Sequence, residues 1–299
     1  MKPALKQAIR AAFEKAARTY DDAAFLQQEV ARRMDERLAM MKLSPGRILD
    51  AGCGTGFGFP LLNTRYPDAH LVGLDLAHAM LTEARQRLPK PSLFDRLRSP
   101  FSSHHAPLIS ADMEAMPLAA DSVDMIWSSL AMQWIAAPEN MFREMRRVLK
   151  PGGLLLFSTF GPDTLRELRA AFAGVDGYSH VNRFIDMHDI GDALIHSGFA
   201  NPVMEMEYLT LTYADLKGVL RDLKGIGAHT VLEGRREGLM GRREWQRLVA
   251  NYEQFRHEGR LPATYEVIYG HAWVGDKASW EDGRKVIQLK IEQRQAGLR

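Results

Sequence analysis

The chain has 299 residues, 46% of them hydrophobic and 25% charged, and a formal net charge of +2. That is the make-up of a globular enzyme built as one large domain, and near-neutrality argues against bulk nucleic-acid binding. No apolar run approaches the roughly 18 residues of a membrane span, and one cysteine, Cys53, excludes an internal disulfide framework. The chain starts on charges and an amphipathic pattern without an apolar leader, and acids at Glu14, Asp21 and Asp22 count against a transit peptide, so a cytoplasmic location is expected.

Leu5, Ile9, Ala12, Phe13 and Ala16 recur at helical spacing, as do Phe25, Val30, Met34 and Leu38. Residues 3–18 and 22–41 are therefore predicted as two helices, with Tyr20 in the break between them. An aromatic side chain there makes either a packing contact or a pocket wall. From residue 46 strands and helices alternate: strand Ile48–Ala51, helix Phe57–Arg65, strand Leu71–Leu74, helix Ala77–Leu88, strands Leu108–Ala111 and Val123–Ser128, helix Pro138–Leu149, strand Leu154–Phe160. This alternation predicts a doubly wound α/β fold, a mainly parallel sheet with helices on both faces. Residues 89–107 have turn composition and read as an inserted loop; His104-His105 within it lacks the partners of a metal site.

Beyond residue 161 come helices Thr164–Phe172 and Met187–Ser197 and an alternating strand Val203–Leu211. Residues 213–261 read as helices joined by glycine-rich turns, and Thr264–Val274 as a last strand. A strand reached after such an excursion suits an antiparallel edge strand, giving seven strands in all. The expected organisation is a single domain: N-terminal helices 1–42, a cofactor-binding core 43–212, a helical lid insertion 213–261, and a final strand with a charged tail 262–299. Over 217–260 basic residues outnumber acids ten to six, with Lys224, Arg235 and Arg236 among them. That window is either a solvated helix face or a docking surface.

The chemistry concentrates at residues 46–56, where a strand runs into Gly52, Gly54 and Gly56, and at Asp75, nineteen residues beyond the last glycine. Glycines let the backbone approach a nucleoside, and an acid at the end of the second strand can accept both ribose hydroxyl protons. The G-x-G-x-G spacing differs from the G-x-G-x-x-G of pyrophosphate binders, and no Gly-Lys-Ser/Thr follows. Asp50, two residues before the first glycine, would repel a pyrophosphate and suit an ammonium group. S-adenosylmethionine offers an ammonium and a diol and has no phosphate.

Ile48-Leu-Asp-Ala-Gly-Cys-Gly-Thr-Gly56, Gly73-Leu-Asp75-Leu76, Asp112-Met113, Ser122-Val-Asp-Met-Ile-Trp127-Ser128 and Leu149-Lys-Pro-Gly-Gly153 resemble, in order, the motifs of the class I S-adenosylmethionine-dependent methyltransferases. The resemblance implies that Asp50, Gly52, Gly54, Gly56, Asp75, Leu76, Asp112, Met113 and Ser128 form the cofactor site, with Asp112-Met113 at the adenine. Ser129-Leu-Ala-Met-Gln-Trp134, Asn182-Arg183-Phe184, Asp222-Leu-Lys-Gly-Ile-Gly-Ala228 and Glu233-Gly-Arg235 are further similar to the malonyl-[acyl-carrier protein] O-methyltransferase family of biotin synthesis. That likeness implies methylation of the free carboxylate of a malonyl thioester, with acyl-carrier protein as partner and no metal. Arg183 would then grip the carboxylate, with a surface salt bridge as its other reading, and Tyr20, Gln133 and Trp134 would line the pocket. His229 could instead face the thioester. Lys224, Arg235 and Arg236 would meet the acidic carrier. Two other readings stay open: a methyltransferase for another small carboxylic acid, and a methyltransferase-fold assembly or modifying factor for a respiratory complex.

Overall fold

In the computed structural model the described residues are 3–88, 107–135, 137–227, 238, 240–275, 280–281 and 284–285. Seven strands make one sheet: β1 (Arg47–Ala51), β2 (His70–Asp75), β3 (Leu108–Ser110), β4 (Val123–Ser128), β5 (Leu149–Phe160), β6 (Phe199–Tyr213) and β7 (Leu261–Val274). Their spatial order is β3-β2-β1-β4-β5-β7-β6. Pairs among β1 to β5 are parallel, and β7 runs antiparallel to both β5 and β6. The expected reversal is thus at that end of the sheet, with β6 outermost. Chain order departs in both directions from β1, whose neighbours are β2 and β4. That switch point opens a crevice at the carboxyl ends of the strands, where such folds take ligands.

The central strands are continuous apolar runs because both faces are covered. Ile48, Leu49, Val123, Met125 and Ile126 are wholly buried. One face packs under α3 (Phe25–Leu38) and α4 (Gly58–Arg65), with Val30, Met34, Phe59 and Trp127 in a single core. The other packs under α6 (Pro138–Val148) and α8 (Met187–His196), through Leu49, Phe142, Met145 and Leu194. In α6 the burial of Met141, Phe142, Met145 and Val148 follows the helical repeat.

The N-terminal helices are shorter than the pattern predicts. α1 (Pro3–Ala16) stops before Tyr20, which opens a single turn, α2 (Tyr20–Ala23). α5 (His78–Ala84) tightens into a 3-10 turn at Arg85–Arg87. Strand β5 starts earlier than expected because Leu149 already pairs with Val123, so Pro151-Gly152-Gly153 is an irregularity within the strand. Past α7 (Arg166–Phe172), the helices predicted after residue 213 are α9 (Leu216–Gly225) and α10 (Arg242–Glu253). The loop from 89 to 106, with His104 and His105, lies outside the described residues, as do His229, Arg235, Arg236 and most of the tail.

Gly73 in β2 sets how closely the first two layers approach the site. A Cβ there would stand 2.7 Å from the Phe59 ring and 2.8 Å from Leu108. Gly73→Ala is expected to lower unfolding stability by about 1–3 kcal/mol, as overpacking does. Chemical denaturation of the two proteins measures the difference.

Candidate active site

The glycine turn leaves β1 with three left-handed residues: φ is +78° at Gly52, +52° at Gly54 and +78° at Gly56. Their surroundings differ. A side chain on Gly52 would collide with Ala131, whereas Gly54 has nothing within 4 Å and faces open space. Gly56 looks inward, where an added Cβ would stand 2.9 Å from the Phe59 ring, and shapes the turn without lining the pocket. The Gly54 N–H donates to Asp75 Oδ2 at 2.9 Å, and the Ala77 N–H donates to Asp75 Oδ1 at 2.8 Å. Asp75 is therefore held rigidly across the turn.

A cavity opens above these strand ends. Its walls include Asp75, Leu76, Asp112, Met113 and Trp134, together with Lys6, Ile9, Phe13 and Tyr20 from α1 and α2. A second chamber lies behind it, lined by Asp21, Asp50, Cys53 and Trp127. Tyr20, Gly52, Gly54 and Ser129 line both, so the two chambers meet at the glycine turn. The edge of Phe13 meets the Trp134 ring, centroids 5.2 Å apart, and walls the first chamber with an aromatic pair.

Besides Gly56, three expected residues stand elsewhere. Ser128 is fully buried, and its hydroxyl donates to the Ala51 carbonyl at 2.8 Å. It staples β4 to β1, and its neighbour Ser129, in the bend that follows the strand, lines both chambers. Gln133 lies on neither chamber wall; its amide donates to the Leu130 carbonyl at 2.5 Å. Arg183 is exposed on the segment before α8 and lines neither chamber. That segment is anchored at the sheet's carboxyl edge by Phe184, whose ring lies 5.7 Å from that of Phe160 at the end of β5. Sequence reasoning missed Lys6 and Ser129. Lys6 reads as an exposed helix position, and only its partners distinguish it: it is ion-paired to Asp112 and Glu114.

Among its described residues the second chamber is lined by acids and no cation. Asp50 is 3% exposed, and no hydrogen bond to its carboxylate occurs among the described residues. Desolvation and the charge of Asp75 push it up to about 8. Desolvation likewise pushes Asp75 up to about 6, against the pull of the Ala77 and Gly54 amides. Burial, Asp75 and Asp21 push the Tyr20 phenol upward, so it stays protonated and acts as a donor. Burial first, then Asp50 and Asp75, push the Cys53 thiol up, which leaves it a small inert wall.

These residues fit S-adenosylmethionine. An unpartnered buried carboxylate calls for its ammonium, Asp75 for its ribose diol, and Gly54 leaves room between them. The fit has a pH signature. Asp50 must lose its proton to receive a cation, so binding releases a proton wherever the free protein holds it. Affinity should rise up to about tenfold per pH unit between about 6 and about 8, the window between the two carboxyl groups, and level off above. The same raised carboxyl makes the free protein less stable as pH climbs through about 8, since only the folded state disfavours its charge. Calorimetric titration across pH, with Asp50→Asn as reference, tests this: the variant should lack the rise.

Comparison with known proteins agrees with the geometry. Residues 49–157 match a family model described as a methyltransferase domain. The chain is 54% identical to the malonyl-[acyl-carrier protein] O-methyltransferase of Laribacter hongkongensis, over 95% of both chains. It is also 54% identical to that of Gallionella capsiferriformans, over 96% of this chain and 97% of the other. Among solved structures, the YcgJ protein of Bacillus subtilis is similar in fold, with TM-score 0.55 and 15% identity over 83% of this chain and 99% of that one. Phosphoethanolamine N-methyltransferase 2 of Haemonchus contortus, solved with S-adenosylhomocysteine, has TM-score 0.51 and 15% identity over 88% of this chain and 58% of its own. With the glycine turn, the two strand-end carboxylates and this identity along nearly its whole length, the chain belongs to the malonyl-[acyl-carrier protein] O-methyltransferase family.

Proposed function

We propose that the protein transfers the methyl group of S-adenosylmethionine to the free carboxylate of a malonyl thioester carried on acyl-carrier protein. The product is a malonyl methyl ester whose charge is masked, fit to prime pimeloyl synthesis toward biotin in the cytoplasm. The observation that carries this reading is what the pocket lacks. Among the described residues, no histidine lines either chamber. Asp50 and Asp75 are committed to the cofactor, and Lys6 pairs with Asp112 and Glu114. The Tyr20 phenol keeps its proton. An acceptor that needs no general base is required, and a carboxylate, ionised at pH 7, is one.

When bound, S-adenosylmethionine supplies a methyl on a sulfonium, which leaves as a neutral thioether as the carboxylate oxygen bonds to the methyl carbon. The chain's residues align and dry that meeting. Phe13 and Trp134 close one side with aromatic surface. Tyr20, at the junction of the chambers, offers an O–H to the carboxylate oxygen that is not attacked. Opposite charges cancel as the methyl passes, so an aromatic, water-poor wall favours the transition state over the separated ions. Arg183, at the carboxyl edge of the sheet, is our candidate for receiving the carboxylate as it enters.

For the carrier we assign α9. Lys217, Arg221 and Lys224 are all exposed, at i, i+4 and i+7, while Leu216 and Val219 are buried on the opposite side. The helix's far end is beside the pocket: a Cβ on Gly225 would meet Ala23 at 2.7 Å, and one on Gly227 would lie 3.5 Å from Phe13. A basic stripe there steers an acidic partner toward the opening, with Arg235 and Arg236 following in sequence.

With labelled cofactor, the protein should place a methyl ester on malonyl-carrier protein in preference to malonyl-coenzyme A or malonate, read by mass spectrometry. No ester on any malonyl species would contradict the assignment and favour a non-catalytic role. Lys217→Glu, Arg221→Glu and Lys224→Glu together should raise KM for the carrier-bound substrate about tenfold or more and flatten its salt dependence. Arg183→Ala should raise the same KM about tenfold, the scale of one charge-assisted contact, and leave cofactor affinity alone.

A further inference from the structure

Three charged side chains from the first 21 residues each engage a different strand-end loop of the cofactor site. Asp21, in α2, accepts the Thr55 hydroxyl at 2.7 Å, within the glycine turn after β1. Arg87 seals that contact, donating to Asp21 at 2.6 Å and to the Thr55 carbonyl at 2.7 Å. Glu14, in α1, accepts the N–H groups of His78 and Ala79 at 2.8 Å each, the first amides of the helix that follows Asp75. Burial would raise the Glu14 carboxyl, but those two amides and Arg10 hold it below its ordinary value, so it is ionised in this role. Lys6, nearer the N-terminus, pairs with Asp112 and Glu114 in the loop after β3. Between these anchors Ile9, Phe13 and Tyr20 form the pocket wall.

We propose that the α1–α2 arm is a working part of the cofactor site, held by this three-loop clasp, and that Lys6 is a positioning residue for the adenine end. The inference rests on the cofactor site described above and adds residues that none of its motifs contain. Asp112 shows how Lys6 acts. One of its carboxylate oxygens accepts the Glu114 N–H at 2.9 Å, and the other meets the Lys6 ammonium. Both oxygens are thereby fixed, and the carboxylate is held in one plane at the edge of the cavity. Without Lys6, Asp112 and Glu114 would face each other as two uncompensated acids, and Asp112 would turn away from the base. A site shaped on both sides in this way binds its ligand and its arm together. Cofactor binding orders the arm, and loosening the arm costs cofactor affinity.

The test uses the full-length chain with S-adenosylhomocysteine as probe. By calorimetry Lys6→Met should raise its Kd about tenfold or more, the equivalent of roughly 1.4 kcal/mol. The KM for S-adenosylmethionine should rise in parallel, so the larger part of the loss falls on KM and not on kcat. Lys6→Arg, which keeps the charge, should recover most of the affinity; a purely structural ion pair would shift the melting temperature and leave this KM in place. On the unmodified protein, amide hydrogen exchange in α1 should slow when the probe binds. Loss of binding in Asp75→Ala but not in Lys6→Met, or α1 exchange indifferent to the probe, would overturn the arm's role while leaving the site intact. Undiminished binding in both variants would overturn the site as well.

Discussion

The structure turns on two carboxylates carried to the ends of adjacent parallel strands and stripped of water there. Asp50 and Asp75 are partners in register neighbourhoods of β1 and β2, where Asp50 pairs with Gly73 and Ala51 with Leu74. Two like charges so placed raise each other's cost, and among the described residues no cation stands beside Asp50 to offset it. A fold keeps such an arrangement when a ligand supplies the missing charge. The rest of the site follows from it: glycines that let Asp75 reach the turn, Gly54 open to the space between the acids, and aromatic walls that keep water out once the ligand is in. Strain of this kind is a mark of function, because packing alone would place an apolar residue at Asp50.

Acceptor chemistry follows from the same economy. Among the described residues, the ionisable groups on the chamber walls are acids, a lysine holding an acid, and a phenol and a thiol held neutral. Such a lining suits transfer of a methyl cation equivalent. An acceptor that arrives as an anion matches it. The basic stripe on α9 lies one helix end from the aromatic wall, on the side where the proposed docking would deliver the acyl group.

Much of this was legible in the residues before any coordinates. Strand and helix alternation set the doubly wound sheet, since apolar runs of four to six residues between glycine and proline breaks have few other uses. Asp50, Gly52, Gly54 and Asp75 stood out because glycines let the backbone approach a nucleoside and the two acids suit an ammonium and a ribose diol. What was hidden depended on tertiary neighbours. Ser128 and Ser129 are indistinguishable by composition, and only where the strand ends decides which one faces the pocket. Gln133 has a polar tip suited to a substrate, yet a carbonyl three residues away claims it. Arg183 was expected against the carboxylate, and the fold holds it out at the sheet's edge. Lys6 gave no signal, because its partners are more than a hundred residues away in sequence.

A crystal structure of the protein with S-adenosylhomocysteine tests the central claim most directly. The account predicts the ligand's ammonium within hydrogen-bond distance of Asp50, both ribose hydroxyls on Asp75, the base beside Asp112, and the α1–α2 arm closed over them. A ribose placed away from Asp75, or an ammonium with no contact to Asp50, would contradict it.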